Sequence, residues 1–278
     1  MNLLKSIFIS SFMTALVAAL GLAAWRLFQL PSDAAWWGTV IAAGVPMVFF
    51  ARLFLAPIAR TEASLWWMPA LGVVGTLVAV ALGGFALPAA IALGLAALSL
   101  IYTQWYSRFA HREAGVLAVG RGLPPFELED IEGRVLRSGD LTGKPALWMF
   151  FRGNWCPFCM AQIREVAAQY RTLAARGVEV FLISPQPQDH TVDLAKRFDV
   201  PMRFLTDRDN RAAACLGILA ENGLPLGMQA LGYDSDVPMP TVFITSSGGR
   251  VVYSDLTENY RIRPEPAEFL AALDRAGI

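Results

Sequence analysis

Two cysteines stand three positions apart in Trp155-Cys156-Pro157-Phe158-Cys159, just after the continuous apolar stretch Ala146 to Phe151. A cysteine attacks as its thiolate, so a catalytic one needs its pKa lowered from about 8.5. The unpaired amides and positive dipole end of a helix N-terminus do this, and Pro157 is a residue type that opens helices at the first position. Cys156 is therefore expected at the head of a helix, as the nucleophile. Cys159 lies over the same helical face and can close a disulfide that releases whatever Cys156 has captured. Pro157 and Phe158 hold the pair in register. Arg152, at the end of the apolar stretch, is placed to stabilise a thiolate or a bound anion, although it is equally well read as a surface charge.

The bland reading of the same pair is a structural zinc site, which needs two further ligands at matching spacing. Only Cys215, His111 and His190 remain, and they are widely separated. No metal and no cofactor is expected. Three cysteines are too few for a disulfide framework, and a pair that merely packs leaves a Trp-Cys-Pro-x-Cys run after a buried strand unexplained.

The elements that must position these residues alternate along the second half of the chain. A strand pair is expected over Phe126 to Val135, turning at Gly133. Ala146 to Phe151 reads as a strand buried on both faces. A helix follows from Cys156 through Gln162, Val166 and Tyr170 to a stop at Gly177. Val178 to Ser184 is a second buried strand, Thr191 to Phe198 a helix, Met202 to Thr206 a strand and Arg211 to Leu216 a helix. Thr241 to Thr245 and Val251 to Ser254 are strands joined at Gly248-Gly249, and Pro266 to Ala276 closes the chain as a helix. Such alternation implies an α/β sheet covered on both faces. Cys215 is expected to pack as a small apolar residue on its helix, and His190 to decorate or cap the second one.

The first half has a different character. The whole chain is 55% hydrophobic and 17% charged, with 23 basic and 23 acidic residues. Residues 1–106 hold only Lys5, Arg26, Arg52, Arg60, Asp33 and Glu62 of these. Crossing the hydrocarbon core takes about 20 apolar residues, and four spans are expected, at about 6–28, 36–57, 65–83 and 87–106. Tryptophans and tyrosines mark the proposed ends, as at a headgroup boundary. No ionisable group lies deep within a span, so the region reads as an anchor rather than a conduit. Gly72 and Gly75 would let helices pack closely. With four spans, Lys5, Arg52, Arg60, Arg108 and Arg112 share one side and Arg26 lies on the other. The positive-inside rule then places the C-terminal domain in the cytoplasm, behind an inner or plasma membrane crossed several times. Basic patches with interleaved aromatics are absent, so nucleic acid is not an expected partner. The expected division is a transmembrane anchor over 1–106, a connector over 107–119 and a redox domain over 120–278.

The order of strand, Cys-x-x-Cys heading a helix, and a later Pro-Thr entering a strand resembles thioredoxin. In detail, residues 120–278 resemble the peroxiredoxin-like branch of the AhpC/TSA family. The resemblance is carried by Phe151-Arg-Gly-Asn-Trp-Cys-Pro-Phe-Cys159, Ile183-Ser-Pro-Gln186, Leu205-Thr-Asp-Arg-Asp-Asn210, Met239-Pro-Thr-Val-Phe-Ile244 and Tyr260-Arg-Ile-Arg-Pro-Glu-Pro266. It implies a thioredoxin-like α/β domain. It also implies that Pro240 is a cis-proline facing the cysteines, with Met239 and Trp155 lining the substrate contact. From the residues alone, Pro240 could equally be a trans proline opening an edge strand. Tyr260, Arg261 and Arg263 have no assigned chemistry and are expected in an exposed loop.

The chain departs from true peroxiredoxins, which carry Pro-x-x-x-Thr/Ser-x-x-Cys around the reacting cysteine: here those positions are Met149 and Gly153. It departs from thioredoxin where a buried acid is replaced by Phe150. The leading expectation is a membrane-anchored thiol-disulfide oxidoreductase whose partners are a thiol or disulfide protein, a small-thiol reductant and the lipid bilayer. One alternative is an antioxidant thiol peroxidase, with Cys156 oxidised by peroxide and Cys159 resolving the sulfenic acid. Another is a redox sensor or scaffold that does not turn over.

Overall fold

The computed structural model describes residues 2–109, 112 and 114–278. These fall into two compact units: one of Leu4–Pro57 with Thr61–Arg108, and one built on Phe109–Ile278 that also takes in Ile58–Arg60 and the first residues of the chain.

The first unit consists of helices α1 (Asn2–Gln29), α2 (Trp36–Leu55), α3 (Trp67–Gly83) and α4 (Leu87–Ile101), the last continuing as a π-helical turn over Tyr102–Tyr106. Helices α1, α2 and α4 with its continuation are each long and apolar enough to cross a membrane, which makes the chain membrane-associated. Helix α3 is shorter, at 17 residues. Leu65 takes a positive φ of 44°, so the chain turns there and the helix begins only at Trp67. At 1.5 Å per residue it spans about 25 Å, against about 30 Å of hydrocarbon.

Packing in this unit is backbone against backbone. A Cβ on Gly38 would lie 2.3 Å from the carbonyl oxygen of Gly75, and one on Gly72 would lie 2.8 Å from Cβ of Ala96. Helices α2, α3 and α4 therefore meet through small residues, Gly72 and Gly75 among them, the contact that replaces the hydrophobic drive lost in lipid. Two of the hydroxyls buried here bond to carbonyls: Thr39 Oγ1 donates to Pro88 O at 2.9 Å and Thr76 Oγ1 to Gly72 O at 3.0 Å.

The second unit is a thioredoxin-like α/β domain. In chain order it runs β1 (Glu127–Glu129), β2 (Val135–Arg137), β3 (Ala146–Phe150), α5 (Pro157–Ala168), α6 (Tyr170–Ala175), β4 (Glu179–Ser184), α7 (Gln188–Ala195), β5 (Arg203–Thr206), α8 (Arg211–Cys215), β6 (Leu219–Ala220), β7 (Val237–Pro238), β8 (Thr241–Thr245), β9 (Val251–Asp255) and α9 (Pro266–Ala276). Seven strands form one sheet in the order β2-β1-β5-β4-β3-β8-β9, while β6 and β7 pair separately. The central strands β3, β4 and β5 are parallel, and β8 joins β3 antiparallel. Every residue of β3 is buried, as its unbroken apolar run requires. Trp148, Phe150, Phe181, Ile183 and Phe243 fill the core on one face, with Ala212, Ala213 and Leu216 from the α8 region against it. The alternating residues Leu147, Met149, Leu182, Val242 and Ile244 are buried as well. Trp148 keeps its indole N–H satisfied by donating to Thr245 Oγ1 at 3.0 Å.

Three local features differ from the sequence reading. The helix expected from Cys156 to Gly177 is interrupted at Gln169, whose φ and ψ of −94° and 1° end α5 before α6 starts. The helix expected from Thr191 begins earlier, at Gln188, because Pro187 with ψ of 143° sets the chain up for entry. The stretch between α8 and β8, for which no element is expected, holds the β6–β7 ladder and a short 3₁₀ turn at Met228–Leu231. That stretch carries part of the site.

Candidate active site

The register of the sheet brings the motifs together. Phe150 at the end of β3 pairs with Thr241 at the start of β8. The chain leaving β3 towards Cys156 therefore emerges beside Met239-Pro240. Cys156 is the N-cap of α5, with extended φ and ψ of −87° and 109°, and Pro157 opens the helix. The thiols are both buried, Cys156 with 3% of its surface exposed and Cys159 with none.

Arg152, Trp155 and Met239 gather around this helix head. The Arg152 guanidinium lies 4.9 Å from the Trp155 ring centre and 6.0 Å from that of Tyr260, and its Nη2 donates to Gly223 O. Trp155 and Met239 pack with Met228 and Tyr233 against Leu224 and Val237. The 219–238 stretch thus packs against Trp155, the neighbour of Cys156. It is tied down at Tyr233, whose hydroxyl donates to Asn154 Oδ1, while the Asn154 amide donates to Gln186 Oε1 at 2.8 Å.

Arg263 approaches from beneath. Its Nη2 is 3.7 Å from Cys159 Sγ, its Nη1 donates to Gln162 Oε1 at 3.0 Å, and its Nε donates to Tyr260 O at 2.7 Å. Tyr260, Arg261 and Arg263 are 9%, 0% and 5% exposed, so the loop expected at the surface is a buried part of the site. The reason is the company it keeps: a guanidinium is tolerated inside when its donors are taken up, here by a carbonyl, an amide and a sulfur. Nearby, Arg60 donates to the carbonyl oxygens of Arg263 and Pro264 at 3.1 and 3.2 Å and pairs with the Glu165 carboxylate on α5.

Electrostatics divides the two sulfurs. Burial pushes the Cys159 thiol up, but a hydrogen bond from the Cys156 thiol, the Arg263 charge and the Arg152 backbone N–H outweigh it and lower it to about 5. Cys156 moves the other way, well above the usual thiol value, chiefly because its proton is engaged by Cys159 and then because it is buried. The directions of the two shifts make Cys159 the more acidic sulfur of the reduced pair. The sequence reading expects the charge at the helix cap, Cys156; the engagement of the Cys156 proton by Cys159, with Arg263 3.7 Å from the Cys159 sulfur, favours the opposite order.

Pro240 departs from the expected cis geometry, since the described residues contain no cis peptide bond. Thr241 enters β8 directly, and both backbone polar groups of Met239 are used within the chain. Its N–H donates to Ile218 O at 2.7 Å, and its carbonyl accepts from Thr241 Oγ1 at 2.8 Å. Cys215 is also placed differently. It is exposed on α8, its sulfur 3.7 Å from Pro125 O, because Ala212, Ala213 and Leu216 supply that helix's buried face. His190 stands on α7 with its ring 5.2 Å from that of Tyr233. His111 lies outside the described residues, and no cluster of metal-ligating side chains occurs among those described.

Residues 119–254 match the model of the AhpC/TSA family. Over these residues the chain is similar to that family. Among relatives of the AhpC/TSA domain, the thiol-disulfide oxidoreductase ResA of Geobacillus thermodenitrificans is 28% identical over 158 residues, covering 56% of this chain and 78% of the relative. ResA of Bacillus subtilis is 27% identical, over 55% of this chain and 75% of its own length. Chloroplastic peroxiredoxin Q of Sedum lineare is 30% identical over 95 residues, 34% of this chain and 51% of that protein. Among solved structures, Enterococcus faecalis AhpC aligns with a TM-score of 0.48 at 18% identity, over 57% of this chain and 92% of that one.

Proposed function

We propose that this protein is a membrane-anchored thiol-disulfide oxidoreductase that works through the Cys156/Cys159 dithiol. Residues 1–106 are the anchor, 107–119 the connector and 120–278 the redox domain, which faces the cytoplasm. The observation that carries the reading is the buried cysteine pair at the N-terminus of α5, with Arg263 3.7 Å from Cys159 and Arg152 against the adjoining Trp155. ResA relatives of the same chemistry support it. Cys156 is the sulfur with exposed surface and so captures the partner; Cys159, enclosed, resolves the mixed disulfide. The partners are a protein or small molecule carrying a thiol or disulfide, and the lipid bilayer. Arg152, Trp155, Pro157, Met239 and Pro240 shape the approach.

Trapping tests this reading. In full-length protein with Cys215→Ser, the further change Cys159→Ser should accumulate mixed disulfides through Cys156, because the captured partner is no longer released. Cys156→Ser should trap none. Equal trapping by both variants would sink the assignment of roles. Reduced protein that consumes peroxide readily but ignores disulfides would sink the choice of reaction.

A further inference from the structure

One buried cation stands directly against the enclosed sulfur of the pair. Arg263 is 5% exposed, Cys159 is fully enclosed, and the guanidinium nitrogen Nη2 stands 3.7 Å from its sulfur. The other two donors are fixed, on Gln162 Oε1 and Tyr260 O. Gln162 itself lies three residues beyond Cys159 on α5, which puts both on one side of the helix. The arginine is therefore aimed by the same helix that carries the sulfur.

Resting on the dithiol reading above, we infer that Arg263 is a positioning residue that holds the negative charge of the reduced pair on Cys159, making Cys159 the internal base for Cys156 and stabilising the reduced state. The charged groups around the pair and its arginine are Arg152, from the loop after β3, and Arg112 and Asp255, the last two of which feel the Arg263 charge. An opposite charge at this range lowers an acid's pKa by about one to three units, and the direction found for Cys159 agrees.

The exchange step then balances without any outside base. Cys156 sulfur attacks one sulfur of a substrate disulfide while its proton passes to the Cys159 thiolate; the Cys156–substrate bond forms, the substrate S–S bond breaks, and one thiolate leaves. Cys159 gives that proton to the departing thiolate and attacks the Cys156 sulfur, expelling the second substrate thiolate. Two electrons have moved from the cysteine pair to the substrate. In reverse, the oxidised pair takes two electrons from two thiols and releases one proton on returning to the thiol-thiolate form. Stabilising that form biases the equilibrium towards the reduced pair, which makes the oxidised pair a stronger acceptor.

The test uses the full chain in detergent with Cys215→Ser, following thiolate absorbance against pH and equilibration with reduced and oxidised glutathione. Arg263→Met should move the pair's first ionisation upward by about one pH unit or more. At neutral pH each such unit removes a factor of about ten from the reduced form, which is about 30 mV towards a more reducing potential. Arg263→Lys should retain part of both effects. An unchanged titration and potential in a variant that merely melts earlier would overturn the inference and leave Arg263 a packing residue. Should Arg263→Met fail to fold, single-thiol variants decide: with Arg263 present, the lone Cys159 of Cys156→Ser should ionise at lower pH than the lone Cys156 of Cys159→Ser. The opposite order would reject the inference. A parent protein that never equilibrates with glutathione would instead sink the dithiol reading, while the order of ionisation still judges Arg263.

Discussion

Gly153 stands three positions before Cys156 and is shaped by its backbone. Its φ is 143°, and a Cβ there would meet the Trp155 indole at 2.7 and 2.8 Å. True peroxiredoxins place a hydroxyl residue at this position, so the obvious engineering step towards a peroxidase is Gly153→Thr. The structure predicts that it fails twice. The backbone conformation is one that a β-branched residue avoids, at about 1–3 kcal/mol, and Trp155 must leave its place over Arg152. Melting temperature should fall, with hydrogen peroxide consumption no faster than in the parent; a native-like melt with faster consumption would refute this. At the same scale, Cys156, Cys159, Trp155 and Arg152 were legible because their types and spacing are themselves a chemical statement. The role of Arg263 was not, because an arginine in the short segment Tyr260-Arg-Ile-Arg263 carries no sign of burial until the helix carrying Gln162 and Cys159 is placed against it.

Elements tell a similar story about which signals survive in a sequence. The strands β3, β4 and β8 follow from unbroken apolar runs, and α9 from its boundaries alone: Pro266 at the first position, Glu265 and Glu268 in a capping box, and Gly277 in the left-handed region. The stretch between α8 and β8 has no such pattern. Its two-residue strands leave no period to read, and its order comes from contacts with distant residues, Arg152 to Gly223 O and Tyr233 to Asn154. Yet this stretch packs on Trp155, next to Cys156, so loosening it is expected to ease attack by a bulky reagent. Tyr233→Ala removes one anchoring hydrogen bond, a net contribution of about 0.5–1.5 kcal/mol, together with aromatic packing on Trp155 and His190. Alkylation of the reduced pair by a maleimide should therefore speed up by about tenfold, the equivalent of 1.4 kcal/mol. An unchanged rate would mean that reagents reach Cys156 by a route that this segment does not control.

For the whole molecule, the side of the membrane on which the redox domain lies decides whether it works among reduced thiols or disulfides, and that side depends on whether α3 crosses. Helix α3 is the short one, yet Gly72 and Gly75 hold it against α4 and α2 at backbone contact, and an apolar helix so packed belongs at the depth of its neighbours. Its 17 residues fall at the lower limit of spanning length. Four crossings put Lys5, Arg52, Arg60, Arg108 and Arg112 together on one side and leave only Arg26 opposite; three would place the last two away from the others. The charge asymmetry supports four, with the first side cytoplasmic. Reporter fusions should accordingly read as cytoplasmic after Ile278 and as non-cytoplasmic within the turn at Gly84-Phe85. The reverse pair of readings would mean that α3 does not cross, would move the redox domain to the oxidising side, and would turn the electron-accepting bias of the Cys156/Cys159 pair towards disulfide formation in exported partners.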